Sequence, residues 1–523
     1  MDQQSSQMQL DKNRIKKRRT VFNIAVLLLY ISANIFLMLC HEAWRDESQA
    51  WIIAKQLSWK QIPGICASEG HPFLWFFLIK ISIVLGLPFR YFSVVSIVLM
   101  SISAGILLFK SNFHWASKIL LILSPMFFYY NPVICRNYSL VMLLVCLLCA
   151  LWNKRHEKPL LYGLVTALLF QSHVLIFGLA IGCMIDMGCN LLKNKSDREP
   201  KHLGGILIPL SSFILMILEL KQSRGSKNFI NITPDFLLER ITGGNWSIRF
   251  LSLSFSLDYD NLKIGFIVVI IPMIILALFL FLSFDKRFRE QNLSVGLCYL
   301  FSLGVYFGIA LLIRNLDHIQ MAIVLWMIIM FLCWTLREYE KGHLFEIILV
   351  FLCVVFIPKS MIIDPYKDIT GSYSGSKEIA DIVDKNVEDG SLIFVNHDYL
   401  TTSVIAYLSD SGKKYVFWDI DNDREFTIHK WGETNPVNID EFNIAKYADD
   451  VLKHNNFAGK AYYIKGNEYL IKLKDNKLLF SGLSKENKNI YVHEIEDNKR
   501  LVLIDKNKET NSLSEYYILY KFE

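Results

Sequence analysis

Charge is what this chain of 523 residues has least of. Asp, Glu, Lys and Arg together make up 20%, against roughly 25% in an ordinary soluble domain. Hydrophobic residues reach 53% and arrive in unbroken runs such as Val21 to Cys40 and Ile264 to Ser283. Such runs match the ~20 residues that cross a ~30 Å hydrocarbon core, which excludes a soluble enzyme, a disordered chain and a disulfide-rich secreted module. No strand-like segment leads into G-x-G-x-x-G, and there is no Walker A pattern, so no nucleotide site is written here. The net charge of +6 is spread over short linkers, with no concentrated basic face for nucleic acid. All ten cysteines fall between Cys40 and Cys353. Cys146 and Cys149 form a C-x-x-C inside an apolar run, where a zinc or redox site would lack polar companions. Internal repeats and low-complexity tracts are absent as well. What remains is a polytopic α-helical membrane protein.

The basic residues orient it. Lys12 to Arg19 precede the first run, marking residues 1–20 as a basic cytoplasmic tail. Further basic linkers lie at 110–118, 153–158, 193–202, 285–289 and 337–343. All can be cytoplasmic only if the stretch 71–110 crosses once. Of its two apolar pieces, 71–87 carries Lys80 and is interrupted at His71-Pro72, so it is expected to lie along the outer surface. The expectation is then about eleven spans within residues 21–358. The segments 41–90, 221–262 and 359–523 face the extracytoplasmic side, C-terminus included. In the polar last segment, a helix-like run at 400–408 stands among strand-like runs at 392–396, 415–419, 461–465, 490–495, 501–504 and 516–522, which predicts a small α/β domain with a binding or scaffolding role. Ser374 reads as the N-cap of a helix to about Val387, and 440–454 as a charged amphipathic helix.

Four constellations gather at the outer face. The first is Trp44-Arg45-Asp46-Glu47, directly after the first run, and the second is Glu69-Gly70-His71-Pro72. The others are Asn131-Pro132…Arg136-Asn137-Tyr138 and Arg314-Asn315…Asp317-His318. Charged groups at membrane depth are costly and tend to be functional. Any one of them can instead pair and snorkel toward headgroups, but a one-sided set favours function. Tyr129, Tyr130, Trp51 and Trp75 read as aromatic-belt residues, and His173 as helix packing. Asn231-Ile232-Thr233 and Asn245-Trp246-Ser247 match the N-glycosylation pattern, a frequent chance match.

One span, then W-x-D-E, then an outer loop closing on an E-x-x-P-like element resembles the GT-C superfamily of integral-membrane glycosyltransferases. Within it, the protein O-mannosyltransferases and lipid A aminoarabinose transferases are the most similar groups. Ser124-Pro125…Tyr130…Arg136-Asn137-Tyr138-Ser139-Leu140, a late outer arginine at Arg314 and the α/β tail extend the likeness over most of 20–360. The resemblance implies inverting transfer of a sugar from a polyprenyl-phosphate donor to an acceptor hydroxyl on a glycan, glycolipid or protein, at the outer face of a bacterial plasma membrane. It implies Asp46 as general base beside Glu47, and Arg136, Arg314 and His318 around the donor phosphate. Glu69, His71 and Tyr138 would line the substrate. A divalent metal near this loop would draw on Asp46, Glu69 and His71, and no nucleotide cofactor is implied. A transporter or lipid-linked-sugar flippase is the alternative, yet the paired broken helices of such folds are missing. A non-catalytic sugar-binding relative would not need the Asp46-Glu47 pair.

Overall fold

The computed structural model describes residues 2–193, 199–221, 273–312, 318–339, 341–358, 362–396, 398–426, 428, 444–455, 457, 459–467, 471–474, 477–480, 501–506 and 515–523. The loop 222–262, both glycosylation sequons, Arg314, Asp317 and the strand expected at 490–495 lie outside them.

The helical part comprises α1 (Asp2–Cys40), α2 (Arg45–Gln56), α3 (Ile62–Glu69), α4 (Leu74–Val84), α5 (Val94–Lys110), α6 (Trp115–Ile122) and α7 (Tyr138–Leu151). It continues through α8 (Pro159–Phe170), α9 (Phe177–Lys193), α10 (Pro200–Lys221), α11 (Lys286–Leu312), α12 (His318–Arg337) and α13 (His343–Pro358). Among the described residues, four stretches are long and apolar enough to cross a membrane: Asn13–Cys40, Phe89–Lys110, Val174–Lys193 and Pro200–Lys221. The chain is thus a mostly helical protein with four candidate membrane-spanning helices and a small C-terminal sheet.

Several apolar runs are shorter as helices than as sequence. With 11 residues, α4 covers about 16 Å, near half a hydrocarbon core. Its Lys80 donates to the carbonyls of Ala54 and Leu57 at 2.8 and 2.6 Å. One cation thereby satisfies orphan acceptors at the end of α2. The run 119–134, expected as one span, breaks at Ser124-Pro125 because proline withdraws a backbone donor. A π-helical turn, Met126–Tyr130, follows.

Beyond the bundle, the short helix α14 (Asp364–Thr370) leads into α15 (Ser376–Asn386), α16 (Asp398–Leu408) and α17 (Ile444–His454). The strands are β1 (Leu392–Val395), β2 (Val416–Asp419), β3 (Arg424–Glu425), β4 (Ala461–Asn467), β5 (Ile471–Lys474), β6 (Lys477–Phe480), β7 (Leu501–Lys506) and β8 (Tyr516–Phe522). Six form a sheet ordered β3-β2-β1-β4-β8-β7, while β5 and β6 make a separate pair. Within the sheet, β2-β1-β4 run parallel, and β3, β8 and β7 pair antiparallel to their neighbours. Because β1 is central and covered on both faces, it reads as a continuous apolar run. Ile393 and Val395 pack with α15 and α16 residues such as Ile379 and Val404, while Leu392 and Phe394 meet Ile444 and Ala448 of α17. The helix expected from Ser374 is capped at Gly375, and Ser374 Oγ accepts the Ser376 N–H at 3.2 Å.

Candidate functional site

The sheet domain docks where α1 ends. Ala43 donates its N–H to Tyr407 Oη at 2.8 Å, Ser376 Oγ donates to the Ala43 carbonyl at 3.0 Å, and Lys55 donates to the Ser409 carbonyl at 2.8 Å. Between the helical part and α16 runs the Trp44-Arg45-Asp46-Glu47 segment. It opens α2, where two carboxylates suit the positive end of the helix. Glu47 reaches back to the Trp44 N–H at 3.3 Å, one half of a capping box.

The two adjacent carboxylates have separated fates. Asp46 retains 18% side-chain exposure and holds Arg136 Nη1 at 2.8 Å, with Arg45 Nε on its other oxygen at 3.8 Å. Both guanidinium groups also lie over the Trp44 ring, at 5.7 and 6.0 Å. Arg45 further approaches Tyr399 of α16 at 5.3 Å, and Arg136 approaches Tyr138 at 5.5 Å. Asp46 therefore sits in an electropositive, aromatic-walled surface. Glu47 is fully buried. Its Oε1 accepts the Cys135 N–H at 2.6 Å and its Oε2 meets His41 Nε2 at 3.1 Å. That geometry ties Glu47 to the loop that carries Arg136.

His41 continues this network. Its Nδ1 lies 2.8 Å from Asp368 Oδ2, which also accepts from Tyr129 Oη at 2.7 Å. Burial opposes a charge on His41, but the carboxylates of Asp368 and Glu47 outweigh it and raise the imidazole to about 10. Both ring nitrogens donate, so the group is an imidazolium bridging α1, α2 and α14.

Gly70, at φ +70°, closes α3 in the left-handed region open to glycine. This turn sends Glu69 and His71 different ways. Glu69 accepts from Gln49 Nε2 at 3.0 Å; Gln49 stands three residues after Asp46, hence on the same face of α2. His71 packs against His173 with ring centroids 4.8 Å apart and the rings tilted by 48°, and His173 Nε2 meets Tyr138 Oη at 3.3 Å. Burial, with the nearby charge of Arg136, depresses His71 to about 3 and lowers His173 in the same way, so both rings are neutral. His173 accepts the Leu175 N–H on Nδ1 at 3.1 Å, which leaves the proton on Nε2.

The structure thus brings Asp46, Glu47, Glu69, His71, Arg136 and Tyr138 into one region. Arg314 lies outside the described residues, and His318 is described only as the start of α12. The metal set does not assemble: among the described residues no three His, Cys, Asp or Glu side chains are placed to hold an ion. Asp46 turns to a guanidinium and Glu69 to an amide.

Sequence reasoning missed Asp364 and Asp368. The Asp364-Pro365 pair, with proline in the first helical turn, was the available signal. It also misread four aromatics. Trp51, Trp75 and Tyr129 are 1%, 4% and 1% exposed, and Tyr130 Oη donates to Asp364 at 2.6 Å. They fill the interior around the site, whereas belt residues face lipid. Glu515, just before β8, brings the sheet domain into the same electrostatics. It accepts from Ser374 Oγ at 2.6 Å and is raised to about 7 by burial, against the pull of that bond and of Arg45. No family model and no curated protein matches this chain.

Proposed function

We propose that the chain is an inverting glycosyltransferase of GT-C type, with about eleven spans, using a polyprenyl-phosphate sugar at the extracytoplasmic face of a bacterial plasma membrane. The observation that carries this reading is the Asp46–Arg136 pair, 2.8 Å apart and still partly exposed. It stands at the end of the first apolar helix, beside aromatic faces.

The chemistry follows from these groups. Asp46 accepts the proton of the acceptor hydroxyl as its oxygen attacks the anomeric carbon. The bond from that carbon to the phosphate oxygen breaks on the opposite face, inverting the centre. The electron pair leaves with polyprenyl phosphate, whose growing charge is met by the positive charge of the Arg136 guanidinium. Arg45 adds positive charge on the same surface. Trp44 and Tyr399 offer aromatic faces for a sugar ring, and neutral His71 and His173 wall the site without competing for the phosphate. The acceptor is a glycan, glycolipid or protein hydroxyl.

The test is transfer by purified full-length protein from a panel of polyprenyl-phosphate hexoses and pentoses, with envelope extract as acceptor. General-base catalysis is typically worth 10²–10⁴-fold, so Asp46→Asn is expected to lose at least about a hundredfold in turnover with donor binding intact. Arg136→Ala is expected to weaken donor binding by more than about tenfold, with Arg136→Lys rescuing it only in part. Full turnover by Asp46→Asn would remove the reading.

A further inference from the structure

A cavity of about 460 Å³ opens at the opposite, basic end of the helical bundle, between the Ile15–Asn23 part of α1, the end of α5 and the start of α6. Lys16, Arg19, Thr20, Asn23, Leu108 and Lys118 line it. Its volume falls in the ~300–1,000 Å³ range of small-ligand sites.

Leu108 lies in the last turn of α5, where backbone carbonyls have no helical partner. Its oxygen accepts from Asn23 Nδ2 at 3.1 Å and from Lys118 Nζ at 2.9 Å. One carbonyl therefore ties three helices together and holds the lysine ammonium at the cavity wall. Two of that ammonium's three N–H donors are left for something else. Three cations share this cavity, and no carboxylate is among its lining residues. The neighbouring acid, Glu346, is engaged by the His114 N–H and by Arg337.

The rim is apolar. Ile15 and Phe109, which complete its lining, are 54% and 43% exposed. Positive charge at the end of a spanning helix, with bare hydrocarbon directly below, matches one amphiphile: a phosphate headgroup with its acyl chains. A soluble phosphate would satisfy the cations and leave the rim uncovered.

We propose that this cavity binds the phosphate headgroup of an anionic phospholipid from the leaflet at the basic end. Recognition of such headgroups by basic pockets between spanning helices follows from charge and depth. The site lies at the other end of α1 from Asp46 and does not depend on the proposed transfer activity.

The experiment is native mass spectrometry of the full chain in detergent, titrated with phosphatidylglycerol, with phosphatidylcholine, and with phosphatidylglycerol in millimolar inorganic phosphate. Phosphatidylglycerol is expected to bind at least about tenfold tighter than phosphatidylcholine, and inorganic phosphate to leave it bound. The double variant Lys16→Gln/Arg19→Gln should lose that preference, while Lys16→Arg/Arg19→Lys keeps it. Both side chains are exposed, so neither change disturbs packing. Equal binding of the two lipids by the native protein overturns the proposal. So does an unchanged preference in the glutamine variant, or its loss in the charge-retaining one. Displacement by inorganic phosphate would mark a soluble-anion site instead and equally overturn it.

Discussion

At the scale of single residues, His41 decides how the site is held. Its imidazolium lies between two fully buried carboxylates, those of Glu47 and Asp368. Removing one member of such a set leaves uncompensated charge behind, typically at a cost of 3–5 kcal/mol. His41→Leu is therefore expected to destabilise the detergent-solubilised protein by about that amount in a thermal melt; a loss near zero would show that the carboxylates are not relying on the cation. The pH dependence has a definite sign. The folded pKa of about 10 lies above the ordinary 6.5. The contribution is thus complete below about pH 6.5 and declines as the pH rises toward 10. The gap in melting temperature between native protein and His41→Leu should narrow over that window. Asp46, Glu47 and Arg136 were legible in the sequence, because charges beside an apolar run stand out. The contrast in burial and partners between Asp46 and Glu47 was not. It depends on Asp368 and the Cys135 amide, which lie 327 and 88 residues from their partners in the chain.

At the scale of elements, helix contacts set the architecture through glycine. A Cβ at Gly163 of α8 would drive into the Gly205 carbonyl of α10. One at Gly205 would come within 2.7 Å of the Pro159 carbonyl and 2.8 Å of Met187 Cε. Two backbones approach directly here, as small residues allow in membrane helices. Gly163→Ala should cost about 1–3 kcal/mol through overpacking, read as a lower melting temperature in detergent. Gly188→Ala, inside α9 with nothing within 4 Å, should not destabilise, alanine being favoured over glycine in a helix interior by about 0.5–1 kcal/mol. Equal effects at the two positions would deny the close approach. Elements with a strong period were visible beforehand: β1, β2, β4, β7, β8 and α16 lie where strand and helix patterns predict them. The failures have local causes. Arg424–Glu425 is a two-residue edge strand, too short to leave a pattern. The run 119–134 looked uniform to hydropathy, which is blind to the break that Pro125 makes. For α4, hydropathy alone suggested a span, and Lys80 marked the exception before its carbonyl partners in α2 were known.

At the scale of the whole molecule, α1 separates two chemically different ends. Its stretch Asn13–Cys40 has 28 residues, about 42 Å of helix, more than a hydrocarbon core. Basic Lys16 and Arg19 stand at one end. At the other, His41 meets Asp368, and the sheet domain caps the first loop through Tyr407, Ser376 and Glu515. Lysine and arginine flanking a span favour the cytoplasm, so the basic end should face inward and the sheet domain outward. Cysteine labelling decides this cleanly. Eight of the ten cysteines are buried, leaving Cys40 half-buried and Cys189 exposed, so Cys40→Ser/Cys189→Ser gives a quiet background. In that background, a membrane-impermeant maleimide should label Lys414→Cys in intact cells, since Lys414 is exposed beyond α16. Lys286→Cys, exposed at the start of α11, should react only after permeabilisation. The opposite pattern would turn the molecule over. Asp46 and Arg136 would then face the cytoplasm, away from a donor presented on the outer leaflet, and the proposed reaction would lose its substrate.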